Sequence, residues 1–325
     1  MTAGFGTYED LLRRSDAPPG SSWRLFGDAP ERGMANFSGP AQVRAGAAEI
    51  RTGEVFNLDY PADAFVPSVS RNRKPPSQTM TSAHPDSFDD FWDGYWPQVS
   101  SHLDGLRHRR AHGHGFYNGV ADERIRAGTP DLGVQRWAER PIAGRAVLID
   151  VAGHRRRTGS PIDHAAGEPI TTACLADALA AQESTVDPGD IVLLHTGWAE
   201  WFLGLSPGER EAARSRRRTT GVAQEPEFLA WLWDHRVALL GTDTFAVEAL
   251  PAAPDSPYRA TSGADQGMLH QELIAKLGCP LGELWKLGTL AAECDRTGRH
   301  AFFASAKPLN LPGAVGSPAN AMAIL

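Results

Sequence analysis

Short runs of apolar residues recur along the chain and predict buried strands. Each run has the length and composition typical of a strand that is covered on both faces of a sheet. The runs are residues 146–151 (AVLIDV), 190–195 (DIVLLH), 237–241 (VALLG) and 301–306 (AFFASA). Residues 54–59 (EVFNLD) alternate between apolar and polar side chains and predict a further strand, half-buried.

Segments with helical spacing of apolar residues lie between these strands. They cover residues 7–15, 41–51, 132–138, 171–182, 227–235 and 271–277. Strands that alternate with helices are typical of α/β proteins. We therefore predict an α/β fold with a mixed, largely buried sheet and flanking helices.

No Ser/Gly linker, internal repeat or low-complexity segment divides the chain. We therefore expect one domain, at residues 22–325, preceded by an N-terminal extension at residues 1–21. Residues 61–85 contain five prolines and predict a long loop, which inside a compact domain is usually functional or a lid.

Composition and charge narrow the function classes. The 325-residue chain has 42% hydrophobic and 22% charged residues, as a globular protein with a substantial core does. Its formal net charge of -7 argues against a nucleic-acid surface. We interpret the basic run at residues 214–218 (RSRRR) as a solvated face.

The three cysteines lie far apart in the sequence and form no CxxC pair. This pattern gives no disulfide framework and is typical of a protein from a reducing compartment. The N-terminal segment contains acidic residues and lacks the apolar core of a signal peptide. No uncharged apolar run approaches the roughly 18 residues of a membrane span. We expect a cytoplasmic protein whose partner is a small-molecule substrate, with no nucleic acid and no membrane.

The stretch from Gln98 to Gly119 carries four of the eleven histidines. On a strand, His102 and Asp104 point the same way, and Gly105 permits a turn that brings His108 back toward them. Imidazole and carboxylate are ligands that zinc and manganese take. By spacing alone this is weak evidence, because a histidine next to a carboxylate is often just a hydrogen-bonded pair. Gly113 and Gly115, next to His112 and His114, predict a flexible loop, so we expect at most an outer role for these two histidines.

The segment SHLDGLRH, residues 101–108, resembles the metal-binding motif of the cyclase family, His-x-Gly-Thr-His-x-Asp-x-Pro-x-His. This family includes kynurenine formamidase-like and isatin hydrolase-like enzymes. The resemblance covers most of residues 22–325. It includes WRLFGDAPERGMANF, GFYNG, GTDTFAVEALP, LHQELIAKLGCPLGELW and PLNLPGAVGSPANAMAI.

This resemblance implies a swivelling β/β/α fold, assembly as homodimers or homotetramers, and hydrolysis of an amide, lactam or lactone. It implies His102 and Asp104 as metal ligands, with the aspartate able to bridge two ions. His270 and Glu283 match the distal histidine and glutamate of the metal site. His108 resembles the histidine that transfers protons. The implied cofactor is a divalent metal, Zn or Mn, as one or two ions.

Gln98 is the main departure from the motif, because it stands where the first histidine is expected. An amide oxygen coordinates zinc or manganese more weakly than an imidazole does. We include Gln98 among the candidate ligands and leave the number and identity of the metal ions open.

Substrate contacts are predicted on both sides of the motif. Arg107 is a candidate partner for a substrate carboxylate. Tyr117 is a candidate to orient the substrate, although a structural turn at residues 118–119 explains it equally well. Phe91 and Trp92 belong to an aromatic segment that predicts the wall of an apolar pocket, with plain core or an oligomer contact as the alternative.

The leading hypothesis is a metal-dependent hydrolase that acts on a small aromatic or cyclic substrate, with His108 as acid and base. One alternative is a cyclase or dehydratase that uses the same metal without hydrolysis. The other is a ligand-binding protein that has lost catalysis through the change at Gln98. The substrate itself stays open.

Overall fold

The computed structural model describes residues 4–325, and a nine-stranded mixed sheet forms its centre. Two smaller pairs of strands, β2 with β3 and β6 with β8, lie outside this sheet. The strands in chain order are β1 (Val55–Asn57), β2 (Ser77–His84), β3 (Ser87–Asp93), β4 (His102–Asp104), β5 (Ile142–Asp150), β6 (Pro169–Ile170), β7 (Ile191–His195), β8 (Gly221–Val222), β9 (Leu239–Thr242), β10 (Leu281–Glu283), β11 (Ala301–Ala306), β12 (Gly316–Pro318) and β13 (Ala321–Ile324).

The large sheet has the strand order β1-β13-β11-β5-β7-β9-β10-β4-β12. Strands β5, β7, β9 and β10 are parallel neighbours, and the other pairs are antiparallel. The carboxyl ends of the four parallel strands therefore meet along one edge, which is where α/β sheets usually carry functional groups.

Helices pack around the sheet and supply the crossovers between its parallel strands. They are α1 (Tyr8–Leu12), α2 (Pro40–Glu49), α3 (Gln135–Glu139), α4 (Val151–Arg157), α5 (Thr172–Ala181), α6 (Trp198–Gly204), α7 (Pro207–Arg216), α8 (Pro226–Asp234) and α9 (Gly288–Thr297). A π-helix covers Gln271–Lys276, and short 3-10 turns cover Pro30–Phe37, Pro97–Val99, Tyr117–Gly119, Asp122–Arg124 and Gly263–Asp265.

The predicted α/β class and its mixed sheet are confirmed. The apolar run at residues 190–195 forms β7, which is buried along its whole length, and residues 301–306 form β11 within the predicted bounds. The helix predicted at 271–277 is present as a π-helix. The helix predicted at 171–182 is α5, whose first turn is capped by the side chain of Thr171.

The loop predicted at residues 61–85 is wrong in its second part. Strand β2 starts there and pairs with β3 as an antiparallel hairpin. Prolines bracket the strand but do not interrupt it, so the count of prolines overstated the loop. The hairpin projects the apolar side chains of Phe88 (69% exposed) and Trp92 (47% exposed) into solvent rather than into the core.

The first helix packs on the same core as the rest of the chain. Tyr8 and Leu11 are buried within the main hydrophobic cluster, and the Tyr8 N–H donates to Asp234 Oδ1 at 2.8 Å. The first three residues of the predicted N-terminal extension lie outside the described residues. In the described range, no helix combines the length and the apolar character that crossing a membrane requires.

Candidate metal centre

The site is built on the antiparallel pair of β4 and β10. In this register His102 lies directly opposite Glu283, and Asp104 lies opposite Leu281. Residues directly opposite one another in an antiparallel pair project to the same face, as do residues two apart on one strand. The sheet therefore directs His102, Asp104 and Glu283 to one point. All three are buried.

The imidazole of His102 is held in one orientation. Its Nδ1 donates to the carbonyl oxygen of Ser100 at 2.7 Å, so Nε2 is the atom free to accept or to ligate. This Nε2 is buried and has no hydrogen-bond partner among the described residues. Its neighbours are Glu283 Oε2 at 3.4 Å and Asp104 Oδ1 at 3.7 Å. Two carboxylate oxygens thus lie near an imidazole nitrogen that makes no hydrogen bond within the described residues.

His270 is fixed in the same way by Glu248. Its Nδ1 donates to Glu248 Oε1 at 2.6 Å. The carboxylate of Glu248 is itself held by the backbone N–H groups of Leu269 at 2.6 Å and His270 at 3.1 Å, and by Gln224 Nε2 at 2.9 Å. Such outer carboxylates are typical of metal-ligating histidines, because they fix the tautomer and the ring orientation.

Glu283 lies between the two imidazoles. Its Oε1 is 3.1 Å from His270 Nε2, and its Oε2 is 3.4 Å from His102 Nε2. Since both imidazoles donate through Nδ1, two nitrogen lone pairs would point at a carboxylate unless a cation, a proton or a metal ion, stood between them. Burial opposes charge on His270, but the bonds to Glu248 and Glu283 outweigh burial and raise its pKa to about 10. Burial likewise disfavours the Glu283 carboxylate, yet His102 and His270 hold its pKa well below the usual range.

Asp104 and His108 form the other side of the site. His108 Nε2 is 3.5 Å from Asp104 Oδ2. The amide nitrogen of Gln98 donates to Asp104 Oδ1 at 3.1 Å and to His108 Nδ1 at 3.2 Å. Gln98 therefore orients both side chains, and its own oxygen takes no part in these contacts.

The contact with Gln98 decides where the proton of His108 resides. Because Nδ1 accepts from the amide, the neutral imidazole carries its proton on Nε2, next to Asp104. Burial lowers the pKa of His108 to about 4, and the nearby Asp104 offsets this only in part. His108 is thus a neutral imidazole at pH 7 whose Nε2–H faces the cluster, as a group that passes a proton requires.

The donor set fits a divalent cation. Two triads bring ligand atoms within 4.8 Å of one another, His102 with Asp104 and Glu283, and His108 with Asp104 and His270. Asp104 is common to both. In the described part of the chain, no lysine or arginine forms a salt bridge with Asp104, Glu248 or Glu283. Buried carboxylates of this number require a positive charge, which one or two divalent ions would supply.

The structure brings Gln98, His102, Asp104, His108, His270 and Glu283 together. It directs Arg107 elsewhere. The terminal nitrogens of Arg107 donate to the carbonyl oxygens of Thr129 and Gly313 at 2.6 Å each and to that of Arg126 at 3.0 Å. These contacts assign Arg107 to the support of a loop rather than to a substrate carboxylate.

Tyr117 is also held away from the cluster. It is fully buried, and its hydroxyl lies 2.9 Å from Ser22 Oγ, in a contact that ties the 3-10 turn at residues 117–119 to the N-terminal region. These contacts agree with a structural role for Tyr117 in the turn. They do not agree with a role in orienting the substrate.

The other candidates lie at the surface. Phe91 and Trp92 stand on the exposed strand β3, 48% and 47% accessible, so neither forms a pocket wall within this chain. His112 and His114 are exposed in the loop before the 3-10 turn at residues 117–119.

Two supporting residues escaped a clear assignment from sequence. The position of Glu248 near the end of a buried strand is compatible with a functional group and equally with helix capping or an arginine partner, and the structure gives it His270 as its partner. Trp285 Nε1 donates to the carbonyl oxygen of His102 at 3.0 Å. Its ring lies across Gly282, where a Cβ would come within 2.5 Å of the indole. The glycine directly before Glu283 is the signal that could have indicated this close contact.

Comparison with known proteins identifies related chains. A family profile described as "Putative cyclase" matches residues 68–249, more than half of the chain. A solved structure described as a novel cyclase is 33% identical, with a TM-score of 0.80, and the match covers 94% of this chain and 99% of that one. The structural similarity therefore covers nearly the whole chain, including residues before 68 and after 249 that the family profile does not match.

More distant structures share the fold. An isatin hydrolase bound to the product analogue thioisatinate is 14% identical with a TM-score of 0.52, over 86% of this chain and 94% of that one. Isatin hydrolase A from Labrenzia aggregata, bound to benzyl benzoate, is 16% identical with a TM-score of 0.53, over 88% of this chain and 98% of that one. No curated protein matches the chain.

Proposed function

Because the chain belongs to the cyclase family, we propose that it is a metal-dependent hydrolase that cleaves an amide, lactam or lactone bond of a small aromatic or cyclic substrate. One observation carries the proposal. Glu283 lies between the Nε2 atoms of His102 and His270, in a buried cluster whose imidazole and carboxylate atoms come within metal-ligand distance of one another. The hydrolase names of the isatin hydrolase structures support hydrolysis as the reaction class.

The proposed ligands are His102, Asp104, His270 and Glu283, with Gln98 as a further candidate. Imidazole and carboxylate donors suit zinc and manganese. A divalent ion in such a site supplies Lewis acidity toward water and toward a substrate carbonyl. The shared position of Asp104 in both triads supports either one ion or two bridged ions.

His108 is the proposed acid and base. Its Nε2–H faces Asp104 Oδ2 and the interior of the cluster, while Nδ1 is held by Gln98. A neutral imidazole with a directed N–H is able to deliver a proton to a leaving nitrogen or oxygen and to accept one from water. Asp104 would hold the ring during both transfers.

A neighbouring cavity of about 780 Å³ suits an aromatic substrate. Its wall includes Trp201, Phe245 and Arg217, together with Leu250 and Met268. The last two lie two residues along the chain from Glu248 and His270, so the cavity adjoins the segments that carry the site. An aromatic ring packs against such side chains, and an arginine attracts a substrate carboxylate.

The direct test is metal analysis of the purified protein followed by assays on aryl formamides, cyclic imides and lactones, with and without a chelator. We expect turnover that is lost with the metal and restored by adding zinc or manganese. Turnover that survives complete metal removal would contradict the proposal. Reaction in ¹⁸O-labelled water separates hydrolysis, which incorporates the label, from the cyclase or dehydratase alternative, which does not.

We propose in addition that the protein assembles with copies of itself through the hairpin of β2 and β3. An isolated two-stranded hairpin is marginal in water, and this one exposes Met80, Phe88, Phe91 and Trp92. Sedimentation of the wild type and of Phe88→Asp tests this, since the substitution should shift the population toward the monomer.

A further inference from the structure

A second cluster of ligand-type side chains lies at the carboxyl ends of the parallel strands. Asp150 ends β5 and His195 ends β7, and the two are register partners in the sheet. Asp243 directly follows β9, the next strand along. Glu200 comes from the first turn of α6. None of these residues belongs to the centre described above.

The ring of His195 is oriented by a carboxylate on its Nδ1, as the ring of His270 is. Its Nδ1 donates to Asp150 Oδ1 at 2.7 Å, and the same oxygen is fixed by the N–H of Gly153 at 2.9 Å. The other ring nitrogen, Nε2, has Glu200 Oε2 as its nearest carboxylate atom, at 3.8 Å. That distance is too long for a hydrogen bond. The side chain of His195 is 8% exposed, and within residues 4–325 its Nε2 makes no hydrogen bond, so an unpartnered polar atom lies in a nearly buried ring.

The two carboxylates beside it are held in place. Asp243 Oδ1 accepts from the Thr196 N–H at 2.9 Å, and Oδ2 accepts from the Gly197 N–H at 2.6 Å. Glu200 Oε1 accepts from Tyr60 Oη and from the Gly288 N–H, each at 3.0 Å, which leaves Oε2 turned toward His195. Carboxylates oriented by backbone N–H groups are typical of ligands in preorganised metal sites.

We propose that His195, Glu200 and Asp243 form a second divalent-cation site, separate from the centre on β4 and β10. Their ligand atoms lie within 4.8 Å of one another. Two ligands of one zinc ion in tetrahedral geometry stand about 3.4 Å apart, close to the 3.8 Å between His195 Nε2 and Glu200 Oε2. One imidazole with two carboxylates suits zinc or manganese. This site does not depend on the proposed hydrolase function.

Charge and space support the assignment. Within residues 4–325, no lysine or arginine forms a salt bridge with Asp150, Glu200 or Asp243, and the salt-bridge partner of Asp150 and of Glu200 is His195. The cluster borders a cavity of about 870 Å³ whose wall also includes Ile162. A cation bound there would keep its remaining coordination positions open to water or to a small anionic ligand from the cavity.

The test is the Mn²⁺ stoichiometry of the full chain, measured by equilibrium dialysis after the metal has been stripped. We expect Glu200→Gln and His195→Asn each to bind one equivalent less than the wild type. Glu211→Gln, an exposed carboxylate on α7, is the matched control and should bind the wild-type number. Glutamine in place of Glu200 still offers an oxygen to Tyr60 and Gly288, and circular dichroism verifies the fold.

An unchanged stoichiometry in Glu200→Gln and His195→Asn would overturn this site. Glu283→Gln distinguishes it from the centre on β4 and β10, because that variant should lose ions there and keep the equivalent at His195. If only Glu283→Gln binds less Mn²⁺ than the wild type, the result supports the centre on β4 and β10 and contradicts the second site. Anomalous diffraction from Mn²⁺-soaked wild-type crystals should show a peak between His195 Nε2 and Glu200 Oε2, and its absence at saturating Mn²⁺ would likewise overturn the assignment.

Discussion

Glu283 lies directly across the β4–β10 pair from His102, with 3.4 Å between Glu283 Oε2 and His102 Nε2. The register therefore brings together two candidate ligands that are 181 positions apart in the chain (283 minus 102). The other oxygen of Glu283, Oε1, lies 3.1 Å from His270 Nε2, so a single carboxylate contacts both imidazoles. This arrangement makes Glu283 the most informative position to change.

Glu283→Gln should abolish tight metal binding and lower kcat/KM by more than about 100-fold, since replacing even an outer partner of a ligand typically costs 10–100-fold. Metal content and steady-state kinetics on the same preparation measure both effects. Glu293→Gln is the control, because that carboxylate is paired with Arg296 on α9, outside the cluster. Full metal content in Glu283→Gln would remove Glu283 from the ligand set.

Glu248→Gln should weaken metal binding by about 10–100-fold while leaving the ligands in place. The amide cannot accept all the bonds that Leu269, His270 and Gln224 now donate, so the ring of His270 loses its fixed tautomer. Metal titration with a competing chelator measures the change. Glu225→Gln also removes a carboxylate that accepts a backbone N–H, that of Thr172, and should leave the metal affinity unchanged.

His108→Asn should lower kcat by about 10²–10⁴-fold with the metal content unchanged, because a general acid and base contributes that much. The asparagine oxygen can still accept from Gln98, which limits the structural change. Loss of metal in this variant would show instead that His108 ligates an ion. His112→Asn, at an exposed loop position, should behave as the wild type.

Gln98→His should tighten metal binding by about tenfold or more, because it places an imidazole where an amide now donates to Asp104. Substitutions of residues that support a metal ligand typically change metal affinity on this scale. Gln98→Asn is the matched control, since the shorter amide has the same chemistry without the reach. Equal affinities of the wild type and Gln98→His would mean that position 98 plays no part in holding the ion.

Asp59→Asn should change the pH dependence of stability. Burial raises the pKa of Asp59 from 3.8 to about 6, partly offset by the Ala321 N–H that donates to it. The folded protein therefore binds this proton more tightly than the unfolded chain does. The stability that Asp59 contributes is fully present below about pH 4 and is lost as the pH rises toward 6.

Relative to the wild type, Asp59→Asn should accordingly gain about 2 kcal/mol in free energy of unfolding between pH 4.5 and pH 7.5. Urea denaturation at the two pH values measures this difference. Asp63→Asn, in the exposed turn that follows, should show no such gain. A constant difference between Asp59→Asn and the wild type across the range would contradict the assignment.

Local spacing predicted much of the candidate site. The two-residue step from His102 to Asp104 places both on one face of a strand, and this holds in β4. The apolar runs that became β5, β7, β9 and β11 could be read directly, because strands covered on both faces have few polar residues. The family resemblance supplied His270 and Glu283 as ligands and the proton-transfer role of His108, which spacing alone left open.

Other features depend on contacts between distant segments. Arg107 adjoins His108 in sequence, yet its guanidinium is bound by carbonyl oxygens of two loops, and nothing local indicates that direction. Glu248 becomes the partner of His270 only because the chain folds back over 22 residues.

The amino-acid sequence by itself determined the buried strands β5, β7, β9 and β11 and the side chains that share a face within one strand, because both follow from the geometry of one strand at a time. The pairing of β4 with β10 and the meeting of Asp150, His195 and Asp243 were decided only by the tertiary structure. Strand order and register result from how the whole core packs, so no local pattern contains them. Asp150 and His195 are 45 residues apart and yet meet at one edge of the sheet.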